Sequence, residues 1–426
     1  MRKPARPSPG LPVYSRVTGD GSAGIATFLL DGDDAVFKFE RIFKTKSSPA
    51  ETQNPKFGRV VDRRGGVVDE VVAAYVDFKE SPTGNPQIEL SCHGGTGVLA
   101  ALEAALLEAG IERARPTELL ERGHLSGKLS LLALEARILL AHAATARQAE
   151  FLLRHTALQD RWERLGFEMA LGLREKRSDW RERIIAAADA ELAASAAAFS
   201  LLKRHTIALI GPVNAGKSTL ANLLARADRH IVSVTPGTTR DRLDAPLDIC
   251  GLNVLLTDTA GMRSPADGVE QEGQRRALDA ARTADLRMVV LDGSQPPSDA
   301  DIDFLKSTAL IGPMVLVLNK SDLGLDDTAA GFGFMLGAEP CQISAQKGEG
   351  LRVLEAQIEA RLLGEHVANL NSGAPFTQRQ VLRLRQLREG LAQQQHGMDV
   401  IEHLRKFVGT RPDFEEMNGA LGGTKN

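Results

Sequence analysis

The sequence has little of what builds disulfide-rich or zinc-bound modules. Its 426 residues include 3 cysteines, Cys92, Cys250 and Cys341, far apart and with no C-x-x-C, which argues against both a disulfide framework and a zinc site. Aromatic residues are 4% of the chain, with 2 Trp and 2 Tyr, while alanine is abundant; this favours long helices over an aromatic-rich β protein. Charge of one sign is also missing. The formal net charge is −3, so any contact with nucleic acid has to come from a local patch rather than from bulk charge. No apolar run approaches the ~18–20 residues of a membrane span. The opening residues 1–10 are basic and proline-rich with no apolar stretch behind them, which reads as an unstructured leader rather than a secretory signal. Together these absences predict a cytoplasmic protein in a reducing setting, with no membrane partner.

The length calls for two or three domains. From Pro12 to about Cys92 the pattern is β-like, with strands predicted at Gly24–Leu30, Val67–Val76 and Gln87–Cys92. A helix is predicted at Val98–Ala109, closed by Gly110. From Thr117 to about Lys203 a run rich in Ala, Leu, Glu and Arg predicts two or three long helices. From Thr206 to about Gly364, continuous apolar runs at Val254–Thr257, Arg287–Leu291 and Met314–Leu318 alternate with helical stretches, the pattern of buried parallel strands in a doubly wound α/β domain. Beyond Phe376 helical composition returns at Arg379–Gln395 and Asp399–Phe407. The expected fold is therefore a multidomain α/β plus α protein. It comprises an N-terminal α+β domain (1–116), a helical domain in two parts (117–203 and 366–426), and an inserted P-loop domain with a mostly parallel sheet (204–365).

That last domain carries the chemistry. Gly211-Pro-Val-Asn-Ala-Gly-Lys-Ser218 fits G-x-x-x-x-G-K-[ST] and follows the apolar run Thr206–Ile210. A strand ending in a glycine-rich turn that opens a helix gathers backbone N–H groups around phosphates. In this pattern Asn214, Ala215, Gly216, Lys217, Ser218 and Thr219 form the phosphate site; Lys217 reaches the β- and γ-phosphates and the Ser218 hydroxyl binds Mg²⁺. Strand Val254–Thr257 runs into Asp258-Thr-Ala-Gly261, placed to hold Mg²⁺ through water and to meet a γ-phosphate with the Gly261 N–H. Strand Met314–Leu318 runs into Asn319-Lys320-Ser-Asp322. The Asp322 carboxylate can accept from the guanine N1–H and exocyclic amino group, a donor pair that adenine lacks. Ser344 and Ala345 follow strand Pro340–Ile343, where backbone can read the base carbonyl. Four motifs in this order, each at the carboxyl end of a strand, predict a GTP/GDP site. Thr239, in the segment between the phosphate loop and Asp258, is predicted to join Mg²⁺ and sense the γ-phosphate. Met262 stands where many GTPases carry a water-orienting Gln, so fast hydrolysis requires another water-orienting group.

With Gly237-Thr-Thr-Arg-Asp241 and Asp258-Thr-Ala-Gly-Met-Arg263, this set resembles the TrmE/Era/Der branch of translation-related GTPases. An α+β domain in front and helices on both sides narrow the resemblance to the MnmE (TrmE) family of tRNA-modification GTPases. Leu90–Gly95, Ala114–Glu118 and Leu125–Leu129 resemble segments of that family's N-terminal region. The resemblance implies a potassium-activated GTPase whose G domains dimerise, with Asn214 as a K⁺ ligand and Ser233, Thr235 and Thr238 around the ion. It implies that Glu270 orients the attacking water through a second water, a catalytic role beside Lys217 and Thr239. It also implies a homodimer, a formyl-tetrahydrofolate donor near Arg115 and Cys92–Gly95, and wobble-uridine modification of tRNA with an FAD-dependent MnmG-type partner. Departures are visible: the last residues are Ala420–Asn426 in place of the family's terminal Cys motif, and Ser81–Pro86 lacks the acids of the corresponding segment. A GTP-dependent assembly switch, of the ribosome-biogenesis type and without modification chemistry, therefore stands as the alternative.

Overall fold

The computed structural model describes residues 11–19, 21, 23–46, 48–52, 54–174, 179–227, 246–258, 281–299, 302–303, 306, 312–329, 331, 339–364, 370 and 373–393. The chain divides into two compact units. The first contains Met1–Ile138 and Gly166–Lys176, the second Leu139–Leu165 and Arg177–His403. In this division residues 117–138 and 166–176 fall with the first unit, and residues 139–165 fall with the strands that follow residue 203.

The first unit is built from β1 (Val13–Arg16), β2 (Ile25–Asp31), α1 (Asp33–Ile42), β3 (Phe43–Lys44), α2 (Pro49–Thr52), β4 (Lys56–Val61), β5 (Val67–Val76), β6 (Gln87–His93), α3 (Thr96–Glu108), β7 (Glu112–Arg113), α4 (Pro116–Leu125) and α5 (Leu131–Leu140). Its seven strands are ordered β3-β4-β5-β6-β2-β1-β7, antiparallel throughout except for the parallel pair β1–β7. Period-2 alternation turns Phe28, Leu30, Val71, Ala73, Ile88 and Leu90 to one face, where Phe39 of α1 and Leu99, Leu102 and Leu106 of α3 cover them. Each of the larger of these side chains, Ala73 excepted, contributes about 1.5–3 kcal/mol by leaving water. Helix α1 lies inside the stretch that composition reads as β-like. Two acids in its first turn, Asp33 and Asp34, favour the helix N-terminus, while its aromatic and β-branched residues hide it from a propensity reading. The Ser81–Pro86 segment closes over Asp31, which is fully buried. Asp31 accepts from Thr83, from Asn85 (3.1 Å), from Gln87 (2.9 Å) and from Arg122 of α4 (2.8 Å), so the buried carboxylate is both paired and hydrogen-bonded, as burial of a charge demands.

The second unit contains α6 (Ala146–Leu153), the first half of α7 (His155–Arg174), α8 (Trp180–Leu202), β8 (Arg204–Ile210), α9 (Lys217–Ala227), β9 (Leu247–Ile249), β10 (Leu252–Asp258), β11 (Leu286–Asp292), β12 (Met314–Asn319), β13 (Cys341–Gln342), α10 (Leu351–Leu363) and α11 (Gln378–Ala392). The sheet order is β13-β12-β11-β8-β10-β9, parallel except for the β9–β10 hairpin. β12 is almost wholly apolar and buried, and β11 is so between the buried Arg287 and the terminal Asp292, as expected of central parallel strands covered on both faces. Helix α11 packs along α8, with Arg388 donating to Asp189 at 2.6 Å. Arg161 of α7 pairs with the buried Glu191 of α8 and also donates to the Gly373 carbonyl at 2.9 Å. The expectation that no apolar run approaches a membrane span is corrected by α8: by length and composition this helix is apolar enough to cross one. Its hydropathy comes from many alanines, each mildly apolar, and its buried residues include Ala188, Ala194, Ala197, Ala198 and Leu201.

Asp285, just before β11, joins the end of α8 to the sheet by accepting from Lys203 and from the Thr206 N–H at 2.9 Å. Burial alone would raise its carboxyl, but these hydrogen bonds outweigh burial and hold it below the usual carboxylate range. A carboxylate depressed on folding adds stability that is complete above its unfolded value, about 3.9, and is lost as pH falls through the lower folded value. Asp285→Asn is therefore expected to lower the Tm by about 2–4 °C at pH 7, the equivalent of about 1 kcal/mol. The gap from wild type should close in melts run well below pH 4; a gap of the same size there would show that Asp285 acts by shape alone.

Candidate functional site

β8 delivers the chain to Gly211, whose φ of 147° and lack of a side chain are both required. A Cβ there would lie 2.0 Å from the Val290 carbonyl oxygen of the neighbouring β11. The turn continues through Asn214, a non-glycine residue with φ of 64° and an exposed side chain. It ends at Gly216, with φ of 91° and a would-be Cβ 2.1 Å from Asn319 Nδ2. Ala215 is buried. Lys217 opens α9 and is 7% exposed; its ammonium donates to the carbonyls of Gly211 (2.8 Å) and Pro212 (2.7 Å). Ser218 and Thr219, in the first turn of α9, are exposed, and that turn contains no acidic residue. The helix N-terminus therefore keeps its positive field for an anion.

Asn319, at the end of β12, ties three loops together. It is 3% exposed; its Nδ2 donates to the Ala215 carbonyl at 2.8 Å and its Oδ1 accepts from the Ala345 N–H at 3.0 Å. One amide thus sets the spacing between the phosphate loop, its own loop and Ser344–Ala345. Ser344 is fully buried, donates from its N–H to the Glu349 carbonyl (3.1 Å) and accepts on Oγ from the Lys347 N–H (3.2 Å). Asp322 sits half-buried in a single 3₁₀ turn, Ser321–Leu323, held to β13's loop by the Ser321 N–H on the Ile343 carbonyl at 3.0 Å. Lys320 adopts φ of 66° and donates to Asp292 Oδ2 at 2.6 Å. Burial would raise the Asp292 carboxyl, but hydrogen bonds from Lys320 and Ser294 prevail and hold it below the usual carboxylate range. Asp292 is the residue that sequence reasoning missed. Its only signal was an acid closing an apolar strand ahead of Gly293-Ser294.

Asn214, Ala215 and Gly216 with Lys217, Ser218 and Thr219 of the first turn of α9, Asn319, Lys320 and Asp322, and Ser344 and Ala345 thus lie at or just beyond the carboxyl ends of β8, β12 and β13. β10 ends at Asp258, paired in register with Leu209 of β8, so it closes at the same edge. Ser233, Thr235, Thr238, Thr239, Gly261 and Glu270 lie outside the described residues. In the first unit, Arg115 immediately precedes α4 and donates to Glu118 at 2.9 Å, and His93 shares a hydrogen bond with Asp69 at 2.7 Å. Burial pushes Cys92, Cys250 and Cys341 each up to about 11, so at neutral pH all three are protonated thiols rather than nucleophilic thiolates.

Residues 12–128 match the family described as "GTP-binding protein TrmE N-terminus", and residues 206–320 match "50S ribosome-binding GTPase". The tRNA modification GTPase MnmE of Paramagnetospirillum magneticum is 33% identical over 371 residues, 81% of this chain and 81% of its own. That of Roseiflexus castenholzii is 31% identical over 437 residues, 93% of this chain and 90% of its own. The chain belongs to the MnmE family. Like other MnmE-family members it is a GTP-hydrolysing enzyme, and GTPases of this kind work with Mg²⁺.

Proposed function

We propose that this protein is a potassium-activated GTPase that converts GTP to GDP and phosphate and acts in wobble-uridine modification of tRNA. The observation that carries the reading is the Asn319 amide joining phosphate loop to base loop, in a chain alike along most of its length to proteins named tRNA modification GTPases. Lys217 meets the β- and γ-phosphates, and Asp322 accepts from the guanine N1–H and amino group. Among the described residues no group of three or more His, Cys, Asp or Glu could hold a metal. Mg²⁺ would take the Ser218 and Thr239 hydroxyls with phosphate oxygens and Asp258 through water, and the Gly261 N–H would meet the γ-phosphate. K⁺ would be held by Asn214 with Ser233, Thr235 and Thr238 around it, adding positive charge where it develops in the transition state. Glu270 orients the water that Met262 cannot.

Residues 204–365 act as the G domain, inserted between two parts of one helical domain; the packing of α11 on α8 supports this. The N-terminal domain pairs two copies and takes a formyl-tetrahydrofolate, and an FAD-dependent MnmG-type protein completes the modification in the cytoplasm. Two measurements test the proposal. Hydrolysis should fall about tenfold or more when Na⁺ replaces K⁺, and equal rates in the two salts would remove the potassium claim. Mass spectrometry of tRNA from a deletion strain should show unmodified wobble uridines, restored by the wild type but not by Lys217→Ala or Glu270→Ala; unchanged tRNA would remove the modification claim.

A further inference from the structure

The Asp292–Lys320 pair has no part in the roles assigned above. Asp292 closes β11 in register with Asn319, the last residue of β12, and the next N–H, Gly293, donates to the Asn319 carbonyl at 2.8 Å. Its carboxylate is 14% exposed and held on both oxygens. Oδ1 accepts from the Ser294 N–H (3.0 Å) and hydroxyl (2.6 Å), and Oδ2 accepts from Gln295 (3.2 Å) and from Lys320 Nζ (2.6 Å). Lys320 is therefore fixed at both ends, by a left-handed backbone at φ of 66° and by a tethered ammonium. A left-handed lysine persists only where its surroundings over-determine it. A lysine with an untethered head would also carry several rotamers, and its loop would lose the side-chain tie to the end of β11.

We propose that Asp292 is a positioning residue for guanine-nucleotide binding, and that it acts by anchoring Lys320 and thereby presetting the loop Asn319–Asp322. The inference rests on the reading of that loop as the base-recognition element. Base contacts made equally in ground and transition states change KM and leave kcat alone. Asp292→Asn keeps the side chain's size and its ability to accept from Ser294 while removing the charge that holds the ammonium. It should raise the KM for GTP and the Kd for GDP about tenfold, the effect of losing one charge-assisted hydrogen bond, with kcat at saturating GTP unchanged within about twofold. A double-variant cycle supplies the decisive readout, since residues that act through one another are not additive. Lys320→Ala should weaken GTP similarly, and Asp292→Asn should add nothing in that background. Additive losses in the double variant, an unchanged KM in Asp292→Asn beside a raised one in Lys320→Ala, or a fall in kcat at constant KM would each overturn the inference while leaving base recognition by the loop intact. An unchanged KM in Lys320→Ala would also overturn this inference, while the base-loop reading stands or falls separately on the change of base specificity in Asp322→Asn.

Discussion

Asp322→Asn is expected to exchange the base that the enzyme accepts. A carboxylate offers two acceptors, which match the N1–H and exocyclic amino group of guanine. Asn offers one acceptor and one donor, so the guanine amino group would face the Asn amide donor and leave both donors unpaired. A site built to hydrogen-bond its substrate rejects a mismatched partner steeply, here by about 10⁴-fold in kcat/KM for GTP. Xanthine carries a keto oxygen where guanine carries the amino group, and that oxygen can accept from the Asn amide while N1–H donates to its carbonyl. The variant should therefore hydrolyse XTP with much of the wild-type efficiency on GTP. The 3₁₀ turn Ser321–Leu323 is anchored through backbone, by the Ser321 N–H on the Ile343 carbonyl, so the substitution leaves the loop's scaffold in place. If the variant were equally inactive on both nucleotides while keeping the wild-type melting curve, Asp322 would not be the base reader.

Lys217→Ala is expected to lower GTP hydrolysis by about 100- to 1,000-fold, the usual cost of removing one preorganised charge from a site of developing negative charge. Lys217 opens α9 as a buried residue, and its ammonium donates to the Gly211 and Pro212 carbonyls. Its attraction for a phosphate is thus exerted in a partly desolvated setting, where it is worth more than in water. The change removes the lysine's two hydrogen bonds to the loop, but Gly211, Gly216 and the Asn319 amide still hold the loop's backbone. Circular dichroism and melting should match the wild type while nucleotide hydrolysis is lost. Retention of more than about a tenth of the wild-type kcat/KM, well short of the loss expected for a phosphate-binding charge, would mean that another cation carries this role.

Local signals proved reliable where geometry is written into a few neighbouring residues. The strands expected at Gly24–Leu30, Val67–Val76, Gln87–Cys92 and Met314–Leu318 form at Ile25–Asp31, Val67–Val76, Gln87–His93 and Met314–Asn319. The helix after the phosphate loop runs Lys217–Ala227. Propensity missed α1 because its core-facing Val36 and Phe39 are poor helix formers whose burial against β2 and β6 outweighs their preference.

The sequence by itself determined that a strand, a glycine-rich turn and a helix form a phosphate loop, and that its companion motifs end strands of one α/β domain. Backbone periodicity and turn chemistry act over a handful of residues, so those features needed nothing from the rest of the chain. Tertiary structure alone decided which loops touch. Asn319 reaches Ala215 across 104 residues, and Lys320 reaches Asp292 across 28, because β11 lies between β8 and β12 and brings three loop ends to one edge of the sheet. Strand order is a property of the packed sheet as a whole. It decides why Gly211 cannot carry a side chain and why an acid outside every recognised motif holds the lysine of the base loop.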